Sequence, residues 1–166
     1  YSRFLPKKLK FAIEDKPAGT FGGLLKLKKQ LQEPFILSNG DNLYDFNLKD
    51  FAGFHRSHSH KPFATLALVQ VENASPFGVP IMEGDRIKEF LEKPENPPSN
   101  FVNSGFYILE PEVLRYADRK KEFLMIEKDI FPQLASAGRL FGYKPSNYRW
   151  LPCDTIEKWH HAIQNW

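Results

Sequence analysis

The stretch Pro34-Phe35-Ile36-Leu37-Ser38-Asn39-Gly40-Asp41-Asn42 reads as a short buried strand that runs into a turn presenting one carboxylate. An apolar run this short, bounded by Pro34 and Gly40, suits a central parallel strand better than an amphipathic helix. In open α/β sheets, ligands collect where such strands end. Asp41 is therefore a candidate Mg²⁺ ligand, and Gly40 would let a substrate approach closely. Gly-Asp-Asn is also ordinary turn chemistry, so a turn-capping Asp41 is the plainer alternative.

Working outward, Leu9–Glu14 reads as a strand, and Gly19-Thr20 opens a helix that runs to about Gln32 with Thr20 as its N-cap. Asn47–His58 is expected to be helical, and the β-rich run Ala64–Val71 a buried strand. Strand, helix, strand, helix, strand implies right-handed crossovers and a largely parallel sheet. Phe77–Met82, a Glu83-Gly84-Asp85 turn and Arg86–Glu92 then form a β-hairpin. Pro94, Pro97 and Pro98 force an irregular loop before a strand at Phe101–Leu109. Helices are expected at Pro111–Ala117 and at Met125–Ala137, the second ended by Gly138. Short strands at Leu140–Tyr143 and Tyr148–Leu151 and a terminal helix at Thr155–Trp166 complete the chain. The expected fold is a single α/β, Rossmann-like domain over residues 1–166: an open mixed, mostly parallel sheet, helices on both faces, and an inserted β-hairpin.

At 166 residues, 42% of them hydrophobic and 15 of them Phe, the chain can bury a real core. Cys153 is the sole cysteine, so no intrachain disulfide can form and a reducing, cytoplasmic setting is expected. No run approaches the ~18 apolar residues of a membrane span. The net charge of +3 is uneven: residues 1–33 carry eight Lys/Arg against three Asp/Glu, or +5, and the remainder 15 against 17, or −2. Lys26, Lys28 and Lys29 read first as a solvated helix face, and second as a basic rim near a phosphate-bearing ligand. Nucleic acid is not an expected partner, because the aromatics lie in apolar runs and do not interleave with the basic cluster.

Two further stretches give Asp41 its context. One is Phe77-Gly78-Val79 followed by Arg86-Ile87-Lys88-Glu89-Phe90-Leu91-Glu92-Lys93-Pro94; the other is Phe101-Val102-Asn103-Ser104-Gly105-Phe106-Tyr107-Ile108-Leu109. With Gly40-Asp41 and the upstream Glu14-Asp15-Lys16-Pro17-Ala18-Gly19-Thr20-Phe21-Gly22-Gly23, in this order, the chain resembles the sugar-phosphate nucleotidyltransferases, the NDP-sugar pyrophosphorylases. The resemblance covers nearly the whole chain. It implies nucleotidyl transfer from a nucleoside triphosphate to a sugar 1-phosphate, giving a nucleotide sugar and pyrophosphate, with Mg²⁺ as cofactor and self-association left open. It also implies that the chain is N-terminally incomplete. The family's opening Gly-Gly-x-Gly-Thr-Arg-Leu loop, which holds the triphosphate, does not appear, and the 166 residues alone are expected to be catalytically silent.

Carried over residue by residue, the resemblance makes Asp41 a metal ligand and places Glu92 on sugar hydroxyls and Lys93 on the sugar phosphate. Asn103 would hydrogen-bond the sugar, and Gly78 would let it approach the backbone. Gly19, Thr20 and Gly22 match the loop that lies near the nucleotide base. The plainer alternatives are a charged strand end cut off by Pro94, and bulges or tight packing at Gly78 and Gly105. This chemistry needs positioning and charge neutralisation, because the attacking phosphate oxygen is already ionised.

The C-terminal motif departs from the family's Trp-x-Asp-x-Gly-Thr, whose Asp is the second metal ligand. Trp150-Leu151-Pro152-Cys153-Asp154-Thr155 puts Pro152 at that Asp. Asp154 could supply the missing carboxylate or simply N-cap the terminal helix. Pro152 and the missing loop also favour an alternative, a non-catalytic sugar-nucleotide-binding or regulatory subunit of the same fold. His55, His58 and His60 lack a zinc spacing and read as a solvated helix end. Cys153 has no evident base, and Phe51, Phe54, Trp150, Trp159 and Trp166 read as packing residues.

Overall fold

The structure, a computed structural model, describes residues 11–166. Its elements in chain order are α1 (Gly19–Lys26), β1 (Phe35–Ser38), β2 (Asn42–Asp45), α2 (Leu48–Ser57), β3 (Ala64–Gln70), β4 (Gly78–Glu83), β5 (Arg86–Glu92), β6 (Phe101–Leu109), α3 (Phe131–Ser136), β7 (Leu140–Tyr143), β8 (Arg149–Pro152) and α4 (Ile156–Asn165). A 3-10 turn (Pro111–Tyr116) and a π turn (Ile126–Ile130) lie between β6 and α3.

An open six-stranded sheet, in the order β1-β6-β3-β7-β5-β4, forms the centre. β3 is buried along nearly its whole length, as its unbroken apolar run requires. Its side chains alternate between two cores. Leu66 and Leu68 meet Phe21, Leu24, Tyr107 and Phe131 on one face, where α1 and α3 pack. Ala67 joins Phe51 of α2 on the other, with Phe106 and Tyr143. Helices therefore cover both faces.

The sheet is mixed. β1, β3, β7 and β4 point one way, and β5 and β6 the other. The β1–α2–β3 connection does return β3 in the direction of β1, as the strand–helix–strand pattern predicts. β6 then inserts between them, so β3–β7 is the parallel hydrogen-bonded pair. β2 and β8 form a separate two-stranded antiparallel sheet; β2 had no sequence signal beyond the turn that precedes it.

The register of β6 against β3 slips. Leu66 faces Tyr107 while Leu68 faces Asn103, so β6 accommodates two extra residues around Gly105, whose φ is +81°. The irregularity is a bulge in which Ser104, Gly105 and Phe106 stand opposite Ala67, next to Asn103. The β4–β5 hairpin forms as expected, with Gly84 at its turn.

Four local expectations are corrected. The upstream strand at Leu9–Glu14 lies partly outside the described residues, and Phe11–Glu14 form no strand. α1 stops at Lys26 rather than Gln32, because its last amides turn to i−3 carbonyls, Leu27 N to Leu24 O at 3.0 Å and Gln30 N to Leu27 O at 2.7 Å. Thr20 is not the N-cap: that place is Ala18, without a side-chain bond, and the Thr20 hydroxyl is engaged elsewhere. The helix expected over Met125–Ala137 divides into the π turn and α3, because Pro132 has no N–H to continue the α ladder. Among the described residues no helix is long and apolar enough to cross a membrane.

His55 is not at a solvated helix end. It is 4% exposed, with Nδ1 2.7 Å from Thr65 Oγ1 and Nε2 3.2 Å from Glu110 Oε1. The other Glu110 oxygen lies 3.1 Å from Lys61 Nζ. Burial lowers the imidazole pKa and outweighs the opposing pull of Glu110. A base whose folded pKa is depressed stabilises the fold above its unfolded value and loses that contribution as pH falls through it. Urea unfolding should therefore show stability declining below pH ~6.5, by at most about 1.4 kcal/mol per pH unit from this group. His55→Gln should flatten that decline, and an unchanged slope would mean that His55 carries none of it.

Candidate active site

The bulge in β6 sets the position of the site. The Gly105 carbonyl accepts from Asn39 N at 2.9 Å and from the Tyr44 hydroxyl at 3.1 Å. The Ser104 carbonyl accepts from the same hydroxyl at 3.1 Å and from Trp150 Nε1 at 3.1 Å. The small β2–β8 sheet is thus clamped onto the bulge, and burial pushes the Tyr44 pKa up to about 12. A β-carbon on Gly105 would lie 2.5 Å from Asn39 Nδ2.

Beside the clamp lies a cleft of about 260 Å³. Asp41, Gly78, Glu92, Lys93, Asn103 and Asp154, all marked by the sequence, line it together. They arrive from separate places: the exit of β1, the start of β4, the end of β5, the bulge of β6 and the exit of β8. Asp41 is exposed, its Oδ1 accepting from Asn42 Nδ2 at 2.9 Å and its backbone carbonyl from Cys153 N at 2.7 Å. Strand β8 therefore fixes the turn that carries Asp41.

Lys93 has φ +51°, the sole non-glycine positive φ among the described residues, and its amide donates to Phe77 O at 3.1 Å. A lysine held in the left-handed region costs of order 1 kcal/mol and directs the side chain from a defined strand end. Gly78 packs tightly: a β-carbon there would sit 2.4 Å from the Phe90 ring and 3.1 Å from Glu92 Oε2. Asn103 donates to the buried Tyr107 hydroxyl at 2.8 Å, and its Oδ1 accepts from Gly105 N at 3.1 Å.

The remaining marked residues stand apart. Gly40 faces a neighbouring groove under α4, with Leu43 and Trp159. Gly19, Thr20 and Gly22 do not line the cleft. The first presses on the backbone of Leu124 and the last on Ala18, where a β-carbon would meet atoms at 2.3 Å and 2.5 Å. Asp154 is not the helix cap: Thr155 caps α4, accepting from Lys158 N at 3.3 Å. The Asp154 carboxylate pairs with Lys158 Nζ at 2.7 and 3.1 Å, which holds it below the usual carboxylate range.

Trp150 and Glu127 are among the lining residues that the sequence did not mark as site residues. Trp150, read as packing, lines the cleft and stacks edge-on with Phe77 at 5.4 Å. Glu127 lies on the π turn, 9% exposed, and no motif marked it. Its one signal is an acid on the inward side of an otherwise apolar stripe, Ile126, Ile130 and Phe131. Burial, and then the charge of Glu127, raises the Glu92 pKa, so these two carboxyls share one environment. Among the described residues no three His, Cys, Asp or Glu side chains gather as a metal site, and the His55, His58, His60 run forms none.

A family model described as nucleotidyl transferase matches residues 5–165. The chain belongs to that family. It is 36% identical over 149 residues to the mannose-1-phosphate guanylyltransferase catalytic subunit beta of Danio rerio, covering 87% of this chain and 40% of that protein. It is 34% identical over 153 residues to the mannose-1-phosphate guanylyltransferase of Mycobacterium tuberculosis, covering 90% and 42%. This nucleotidyltransferase chain thus spans about two fifths of the length of these relatives. Among solved structures, a Bacillus anthracis protein assigned as a glucose-1-phosphate thymidylyltransferase superposes with TM-score 0.80 at 22% identity, over 93% of this chain and 63% of that one. At that identity the likeness concerns the fold, which is the Rossmann-like arrangement expected from the element order.

Gly105→Ala should destabilise the protein by about 1–3 kcal/mol, because a side chain there is strained by φ and meets Asn39. Chemical denaturation measures the loss. Wild-type stability in that variant would show that the bulge does not need glycine.

Proposed function

We propose that this chain forms the sugar-phosphate side of a nucleotidyltransferase that joins a nucleoside triphosphate to a sugar 1-phosphate and releases pyrophosphate. The observation that carries the reading is the single cleft shared by Asp41, Glu92, Lys93, Asn103, Glu127 and Asp154. Four carboxylates and one lysine line it, an arrangement that takes a hydroxyl-rich, phosphate-bearing ligand only with added positive charge. The relatives that act on mannose 1-phosphate make that sugar phosphate, with GTP, the first pair to test.

In this reading Lys93 pairs with the sugar phosphate, while Glu92, Glu127 and Asn103 hydrogen-bond sugar hydroxyls. Trp150 and Phe77 give the ring an apolar wall. A sugar-phosphate oxygen attacks the α-phosphorus of the triphosphate; the bond from that phosphorus to its bridging oxygen breaks, and pyrophosphate leaves. The donor set fits Mg²⁺, which takes one or two carboxylates and completes its shell with water and substrate phosphates. Asp41 and Asp154 would hold it, and it would neutralise charge on the phosphates. Asp154 would first have to exchange Lys158 for the ion.

That lysine pairing favours one second reading: a sugar-nucleotide-binding subunit without turnover, in which Asp154 stays with Lys158. The two separate cleanly. In the full-length protein, Asp41→Asn should abolish Mg²⁺-dependent pyrophosphate release while leaving unfolding unchanged, and a variant with wild-type turnover would remove Asp41 from the chemistry. If the full-length wild-type protein binds mannose 1-phosphate yet never releases pyrophosphate from GTP, the binding-subunit reading holds.

Lys93→Ala should weaken mannose 1-phosphate by about 10- to 100-fold, the usual worth of a hydrogen bond to a charged group, with GTP affinity little changed. Titration calorimetry reads both. The opposite pattern would place Lys93 on the nucleotide.

A further inference from the structure

We propose that Thr20 is a positioning residue for the sugar-binding carboxylate Glu127, a step that rests on the function proposed above. Thr20 sits in the first turn of α1, outside the cleft, yet its hydroxyl donates to Glu127 Oε2 at 2.8 Å and accepts from Ile126 N at 2.9 Å. The contact belongs to a four-bond clasp between residues 18–21 and 124–127. Leu124 N donates to Ala18 O at 2.9 Å, and Phe21 N to Leu124 O at 2.9 Å. Gly19, at φ +83°, permits the close approach, since a β-carbon there would collide with the Leu124 carbonyl at 2.3 Å.

Glu127 needs such a hold. It lies in a single π turn, a rare geometry, and the turn's own Asp129 is engaged by Met125 N at 2.8 Å and Lys121 Nζ at 2.6 Å. Glu127 also shares its surroundings with Glu92, so like charge pushes the two carboxylates apart. The Thr20 hydroxyl is the hydrogen-bond partner that holds one Glu127 oxygen, leaving Oε1 for the cleft that the side chain lines. The helix that opens the chain's first motif is thereby tied to the carboxylate that would read a sugar hydroxyl. Occupancy or displacement at α1 would then be felt at the sugar.

Thr20 is itself exposed, so Thr20→Val removes the hydroxyl without opening the core. Titration calorimetry with mannose 1-phosphate, and separately with GTP, tests the proposal. Thr20→Val should weaken mannose 1-phosphate about tenfold and GTP less than about twofold, and Thr20→Ser should restore affinity to within about threefold. In a Glu127→Gln background, Thr20→Val should add less than about twofold, because the two act as one unit. Wild-type affinity in Thr20→Val, additive losses in the double variant, or a loss confined to GTP would each overturn the positioning role and leave the proposed function standing. If the wild-type protein binds no mannose 1-phosphate, the proposed function falls and this inference falls with it.

Discussion

The bulge in β6 is the constraint on which the rest depends. A regular strand through Asn103-Ser104-Gly105 would send alternate side chains to the two faces of the sheet and leave no opening. The two extra residues instead break that alternation and bring Asn103, Ser104 and Gly105 to the edge of the cleft, with the Ser104 hydroxyl turned inward to Ala67 O. Their carbonyls then need partners, which Tyr44, Trp150 and Asn39 supply. Those partners come from β2, β8 and the exit of β1, so satisfying the bulge also draws the Asp41 turn and the Asp154 loop to the same place. Glycine at position 105 makes the conformation affordable in free energy.

The cleft is electrostatically unfinished. Its lining has four acids against Lys93, and Lys158, outside the lining, is already paired with Asp154. A phosphate entering such a site meets repulsion unless a cation comes with it, so the charge count supports the Mg²⁺ role proposed above. The strained backbone at Lys93 fits the same picture. Left-handed geometry persists there although Pro94 follows, because the Lys93 amide is tied to Phe77, and the side chain leaves the strand end toward the cleft.

Much of this was legible in the residues. The strand–turn at Pro34–Asn42, the hairpin ending at Glu92-Lys93-Pro94 and the strand carrying Asn103 are local signals, written in apolar runs, prolines and glycines. Each placed its element within a residue or two. The caps were less secure: Thr155, not Asp154, closes the N-terminus of α4, and Ala18, not Thr20, precedes α1. Asp154 and Thr155, adjacent and of similar capping ability, cannot be ranked locally, and Thr20 is drawn from the cap by Glu127 and Ile126 across the fold.

The sequence by itself determined most of the strands and helices, the α/β class and six of the cleft residues, because periodicity, turn chemistry and short motifs act over a few neighbours. Tertiary structure alone decided that β6 lies between β1 and β3, that Trp150 forms a cleft wall, that His55 is buried, and that Glu127 faces Glu92. Those facts follow from which distant segments satisfy each other's hydrogen bonds and cover each other's apolar faces. Thr20 and Glu127 stand 107 positions apart and meet through a single hydroxyl, a contact that no local pattern encodes.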